Sequence, residues 1–149
     1  MSRAALLLVL PMMLACTPAE ETPMADTTAM AAEAIAPLNY AGNWTVTNMP
    51  EGRDTVLVTY DMVATNDQTG WSLTLPGRPV QTPRIVSISA DSVVLELDPF
   101  ESVLRPGQMV TTHTVFRMEG DRLVGTTMAR YPTGGADSVT LLRTTATRK

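Results

Sequence analysis

The sequence contains few of the residues from which active sites and disulfides are built. Cys16 is its one cysteine, so a disulfide within the chain is excluded. His113 is its one histidine, and we expect it at the surface or in a hydrogen bond rather than in catalysis. No His, Cys, Asp or Glu grouping has metal-ligand spacing, and no serine lies in a Gly-x-Ser-x-Gly motif. We therefore predict a protein that is not an enzyme and uses no cofactor or metal.

Positive charge is also scarce. The chain has 11 Lys and Arg against 15 Asp and Glu, and its formal net charge is −4. Residues 17–36 hold four acids and no base, whereas residues 37–149 hold eleven acids and ten bases. Nothing forms the basic stripe that nucleic-acid binding requires, so we expect no nucleic-acid partner. The length allows a single domain once the N-terminal segments are set aside.

The N-terminus has the pattern of a secretory signal. After Arg3, the stretch over 4–14 has roughly ten apolar residues, against the roughly 20 that a bilayer-spanning helix needs. The stretch ends at Met13-Leu14-Ala15-Cys16, which is similar to the lipobox of bacterial lipoproteins. The match covers the small residue Ala15 and the acceptor Cys16, and it departs from the usual form at the two preceding positions.

The lipobox resemblance implies that the chain is cut before Cys16 and anchored to a membrane by lipid on that cysteine. Thr17, rather than Asp, follows the cysteine, which in the family is typical of proteins sent to the outer membrane and facing the periplasm. The alternative is an ordinary signal peptide, cleaved after Ala15 or further on. We thus predict a signal peptide over 1–15, a lipidated N-terminus and disordered acidic tether over 16–37, and a β domain over 38–149. Docking of part of the tether onto the domain or a partner stays open.

Beyond the tether, apolar and polar residues alternate with the period of two that is typical of β-strands. Trp71-Ser72-Leu73-Thr74-Leu75 is a clear case, with its apolar side chains at the odd positions. Short polar turns that contain Gly or Asn separate the alternating segments. Eight strands are predicted, over about 43–49, 54–64, 71–75, 84–89, 92–98, 109–118, 122–131 and 137–145.

Eight sequential strands with short links predict an all-β, antiparallel up-and-down barrel. Closure of the sheet into a barrel removes the exposed edge strands that an open sheet would leave. A barrel of eight strands has room for packed side chains or for one small ligand. The alternative is a β-sandwich of two packed sheets.

The first strand opens with Gly42-Asn43-Trp44, which resembles the Gly-x-Trp signature of the lipocalin superfamily, the calycins. This resemblance implies a barrel whose tryptophan packs across the closed end against an arginine of the last strand. Arg143 and Arg148 are the candidates for that arginine, and a cation over the indole face gives the pair a physical basis. The second and third lipocalin motifs and the usual C-terminal helix are not recognisable in this sequence.

Four side chains are candidates for contacting a ligand inside such a barrel. Arg105 lies in the long connection over 99–108, which is expected either to plug one barrel end or to act as a lid that offers Arg105 to a ligand carboxylate. Arg117 and Arg130 lie in mid-strand and would be anion anchors if they face inward. Tyr60 is a candidate for lining an apolar interior.

Two functions remain open from the sequence. The first is a membrane-anchored, lipocalin-like protein that binds a small apolar ligand at the cell envelope. The second is an envelope lipoprotein with a filled barrel, which either has a structural role or binds a protein partner as an inhibitor does. An interior cavity of about 300 Å³ or more would favour the first. The identity of a ligand or partner and the oligomeric state do not follow from the sequence.

Overall fold

The computed structural model describes residues 39–149, and these form one antiparallel sheet. The predicted signal peptide over 1–15, the lipidation at Cys16 and the predicted tether up to residue 37 lie outside the described residues. The strands are β1 Gly42–Pro50, β2 Val58–Ala64, β3 Ser72–Thr74, β4 Arg84–Ile88, β5 Ser92–Glu101, β6 Met109–Glu119, β7 Arg122–Arg130 and β8 Val139–Arg148. One short 3-10 turn, Ala136–Ser138, precedes β8.

The sheet has the strand order β3-β2-β1-β8-β7-β6-β5-β4. Every neighbouring pair is antiparallel, and β1 pairs with both β2 and the last strand β8. This arrangement confirms the predicted all-β fold and its sequential up-and-down strand order. The sheet curls into a half-barrel, and no ladder of backbone hydrogen bonds joins its two edge strands, β3 and β4. A single bridge, Leu73–Gln81, extends the β3 edge.

Three predicted strands differ from the observed ones by more than one residue at an end. The second strand begins at Val58 rather than 54, because the residues before it are exposed and follow a turn closed by Arg53 N and Pro50 O. The fifth strand continues past Pro99 to Glu101 through an irregular register between Leu97 and Phe100. The last strand begins and ends later than predicted, over Val139–Arg148, because its end pairs with the start of β1.

Alternation along the strands places one set of side chains inside the curled sheet. In β2 the pattern of buried and exposed residues alternates without a break from Val58 to Ala64. The largest fully buried side chains are spread over the whole sheet rather than over one edge. They are Trp44, Trp71, Tyr40, Phe116, Met62, Leu73, Leu95, Leu123, Val46, Val93, Thr114 and Thr144.

Trp44 and Arg148 close one end of the barrel. The Arg148 guanidinium lies 4.3 Å from the centroid of the Trp44 ring, in cation–π geometry. It also donates hydrogen bonds to the Ala41 carbonyl, at 2.7 Å, and to the Asn39 carbonyl. Arg143, the other candidate, does not take this position, because it lies on the outer face and pairs with Asp54.

The chain enters the domain at this same closed end. The Trp44 indole Nε1 donates to the Tyr40 carbonyl at 2.8 Å, and the Tyr40 hydroxyl donates to the Ser89 carbonyl at 3.0 Å. The Tyr40 ring is fully buried and lies 6.2 Å from the ring of Trp71, and burial raises the pKa of its hydroxyl. We call the opposite end, which carries the 102–108 connection, the plug end.

Gly125 allows β6 and β7 to approach closely. It pairs with Phe116, and a Cβ atom at Gly125 would lie 1.8 Å from the Val115 carbonyl oxygen and 3.0 Å from the Phe116 Cα. Both contacts are with backbone, so the neighbouring strand would have to move to admit a side chain. Glycine is therefore required here by packing.

Replacement of Gly125 by alanine should lower the free energy of unfolding by about 3 kcal/mol, because overpacking forces β6 away from β7. Gly134→Ala is the matched control, since a Cβ at Gly134 meets nothing within 4 Å. We expect the control to change stability by less than about 0.5 kcal/mol. Urea unfolding of the two variants measures both effects, and equal losses would contradict the packing argument.

Candidate functional site

The interior of the barrel is filled by side chains rather than open. Two small cavities remain between the core and the plug end, with volumes of about 50 Å³ and about 30 Å³. Ligand sites are usually about 300–1,000 Å³, so neither cavity holds a ligand of ordinary size as it stands. Each does exceed the roughly 10–15 Å³ that one water molecule needs.

The 102–108 connection and its flanks form the cover over these cavities. Phe100, Val103 and Leu104 are partly buried and pack against the core. The Ser102 hydroxyl accepts hydrogen bonds from the backbone N–H groups of Leu104 and Arg105, at 3.1 and 3.0 Å. The connection is thereby held as a compact turn over the barrel end, which agrees with the predicted plug.

Arg105 contributes to this cover and does not face the interior. Its guanidinium lies 4.0 Å from the centroid of the Tyr131 ring and donates to the Asp137 carbonyl at 2.9 Å. A further, longer hydrogen bond reaches the Thr140 hydroxyl at 3.3 Å. The guanidinium ties the plug to the 131–140 region, and a ligand carboxylate inside the barrel would not meet it.

The polar groups that do face the interior come from Tyr60, Asn48 and a row of threonines. The hydroxyls of Thr114, Thr127 and Thr144 form a hydrogen-bonded chain with separations of 2.9 and 2.7 Å. Burial raises the pKa of the Tyr60 hydroxyl. The Asn48 Oδ1 atom is buried, has no hydrogen-bond partner among the described residues, and belongs to a side chain that lines both cavities.

Arg117 and Arg130 both face outward. Arg117 is exposed on β6 beyond the inward-facing Phe116, and Arg130 is exposed on β7 beyond the inward-facing Ala129. Neither arginine therefore meets the condition, an inward face, under which it would anchor an anion inside the barrel. The alternation of each strand puts both arginine side chains on the outer face. A guanidinium buried in the interior without a carboxylate partner would be strongly disfavoured.

A recess much larger than the two interior cavities lies on the outside of the sheet. A groove of about 500 Å³, here called the outer groove, crosses β4, β5, β6 and β7. It is lined by Arg84, Glu96, Leu97, Asp98, Thr111, Thr112, His113, Met128 and Arg130. Its walls carry both charge signs, in contrast to the interior.

His113, Glu96 and Arg84 form a connected row across the outer groove. The His113 Nδ1 and Glu96 Oε1 atoms are 3.0 Å apart, and the Arg84 guanidinium donates to the other carboxylate oxygen of Glu96. Glu96 is the cross-strand neighbour of both residues, of Arg84 on β4 and of His113 on β6. The hydrogen bond from His113 and the nearby Arg84 charge hold the pKa of Glu96 below its ordinary value.

A second concavity adjoins the outer groove at the plug end. This side pocket, of about 260 Å³, is lined by Pro99, Met109, Val110, Thr111, Arg130, Tyr131 and Pro132. Thr111 and Arg130 line both features, so the two form one continuous surface. Apart from Arg130 and Thr111, the side-pocket wall is apolar or aromatic.

The outer groove contains one acid–base pair, Glu96 and His113, and two threonine hydroxyls, those of Thr111 and Thr112. In residues 39–149 no group of three or more His, Cys, Asp and Glu side chains is placed to hold a metal ion. The same residues contain no helix of the length and hydropathy that cross a membrane.

Comparison of the chain with protein-family models, with curated proteins and with solved structures finds no significant match. Of the residues predicted as possible ligand contacts, Arg130 lines the outer groove and Tyr60 lines an interior cavity. Arg84, Glu96 and His113 were not predicted to share a groove, because strand pairing is what makes them neighbours.

Substitution of His113 by alanine should raise the pKa of Glu96 toward the ordinary glutamate value of about 4.3, because the ionised carboxylate loses its hydrogen-bond partner. Because the pKa of Glu96 is lowered in the folded state, its ionised carboxylate stabilises that state at pH values above the ordinary glutamate pKa. This stabilisation is lost as the pH falls through the lowered pKa. NMR titration of the Glu96 carboxyl carbon measures the shift. Thr111→Ala, a neighbour in the groove without contact to Glu96, is the control, and an unchanged Glu96 midpoint in the His113 variant would refute the pairing.

Proposed function

We propose that this chain is a lipid-anchored protein of the bacterial cell envelope that acts through the outer surface of a filled barrel, as a non-catalytic binding module for a protein partner. The observation that carries this proposal is the filled interior, with cavities of only about 50 and 30 Å³. Trp44, Phe116 and Leu95 are among the side chains that fill this interior. The outer groove, at about 500 Å³, is a much larger recess than either cavity.

The anchoring part of the proposal is supported by the lipobox-like sequence at Met13-Leu14-Ala15-Cys16 and by the acidic segment that follows it. Thiol lipidation and acylation of the new amino group would supply more than the two signals that stable anchoring takes. Thr17 after the cysteine favours the outer membrane, with the domain on the periplasmic side. Confinement near a membrane favours a local partner over a freely diffusing cargo.

A second candidate function is the binding of a small apolar ligand inside the barrel. The unpartnered Asn48 Oδ1 atom favours it, because a buried acceptor without a partner costs free energy that a donor from a ligand or a water would recover. Opening of the plug at Phe100, Val103 and Leu104 would be needed to admit anything larger than water. This requirement makes it the weaker of the two candidates.

Native mass spectrometry of the full chain, purified in mild detergent from a bacterial host, tests the choice between them. We expect only the mass of the chain with its covalent lipid, because the interior cavities are too small for a ligand of ordinary size. Denaturing mass spectrometry of the same preparation is the control that gives the covalent mass. A stoichiometric small molecule lost on denaturation would overturn the filled-barrel proposal in favour of the second candidate.

The Cys16→Ser variant should abolish incorporation of labelled palmitate and leave the chain unanchored or unprocessed, since serine offers no thiol for the thioether. Thr17→Ser is the matched control and should retain labelling, because it leaves the cysteine in place. Metabolic labelling followed by gel fluorography gives both results. Labelling that persists in the Cys16 variant would refute the anchor.

A further inference from the structure

The outer groove and the side pocket together have the length of a short extended peptide. They reach from Arg84 on β4 to Arg130 on β7, which is three inter-strand spacings of about 4.8 Å, or about 14 Å in all. An extended chain rises about 3.3 Å per residue, so this length holds about four residues. The side pocket adds a recess at the β7 end, bordered by Tyr131 and Pro132.

The charges of this surface are distributed unevenly along its length. At the β5 end, Glu96 is already paired with Arg84 and His113, and Asp98 lies beside it. At the β7 end, Arg130 is exposed and makes no ion pair among residues 39–149. Arg130 is also the one charged residue in the side-pocket wall. An acidic group of a ligand is therefore favoured near Arg130 on β7 and disfavoured near Glu96 and Asp98 on β5.

Apolar surface continues past Arg130 onto β8. Val139 is the cross-strand neighbour of Arg130 and is 43% exposed, and Leu141 is the neighbour of Met128 and is 41% exposed. Met109, on the other side of the side pocket, is 46% exposed. Arg130 is thus a cation with exposed apolar side chains on both sides. This surface is complementary to a segment in which apolar residues flank an acidic one.

We propose that the outer groove and the side pocket dock an extended segment of a protein partner, with an acidic side chain on Arg130 and apolar side chains in the side pocket and on Val139. The proposal rests on the surface-acting function given above and names the chemistry of the partner. An anionic membrane surface fits less well, because Glu96 and Asp98 would face its headgroups. The groove also lies in the half of the domain nearer the plug end, away from the closed end where the chain enters.

The test is a reciprocal exchange of charge between Arg130 and a peptide. Two end-blocked, fluorescein-labelled peptides are used as probes, Thr-Leu-Glu-Leu-Thr and Thr-Leu-Lys-Leu-Thr, and their binding to the full chain in mild detergent is measured by fluorescence anisotropy. We expect the unsubstituted protein to bind the glutamate peptide about tenfold more tightly than the lysine peptide. Arg130→Glu should invert that preference, and added salt should weaken both.

Arg117→Glu is the matched control, because Arg117 is also an exposed arginine on the outer face but lies outside both recesses. It should leave the preference unchanged. Failure of the unsubstituted protein to bind either peptide, or equal effects of the two substitutions, would overturn the proposed docking site. Displacement of the glutamate peptide by phosphatidylglycerol vesicles would overturn it in favour of a lipid surface. None of these outcomes tests the filled-barrel proposal, which native mass spectrometry tests separately.

Discussion

The contact between Trp44 and Arg148 ties β1, the first strand in the chain, to β8, the last. Residues 44 and 148 are cross-strand neighbours, and the guanidinium lies over the indole while it binds the carbonyls of Asn39 and Ala41. One interaction thus joins the two ends of the domain's chain at the centre of the sheet, covers the barrel end and fixes where the chain enters. Such a contact is worth only about 0.5–2 kcal/mol by itself, so its effect depends on the burial of Trp44 that it completes.

Burial is what holds the curl, because the sheet has no ladder between β3 and β4. Trp71, Leu73 and Ile85, which lie on or beside those two edge strands, are buried in the interior. A barrel held closed by its contents leaves little volume for a ligand. The same requirement keeps charged side chains on the outer face, where Arg84, Glu96, His113 and Arg130 line one groove.

Much of this was predictable from alternation. The period of two correctly predicted the eight strands and their sequential antiparallel order. It also separates the two arginines of β8, since Arg148 has the parity of the buried Leu142, Thr144 and Ala146 whereas Arg143 does not. The faces of Arg117 and Arg130 were harder to assign, because threonines surround both and are compatible with either face.

The class of fold follows from the amino-acid sequence alone, because side-chain alternation and turn residues are local properties that any eight-stranded meander must satisfy. The lipobox-like N-terminus is likewise a local pattern, whose interpretation needs no fold. The filling of the interior depends on the three-dimensional structure, since cavity volume depends on how side chains from all eight strands pack together. The outer groove also depends on it, because Arg84 and Arg130 line one recess only through the pairing of the strands between them.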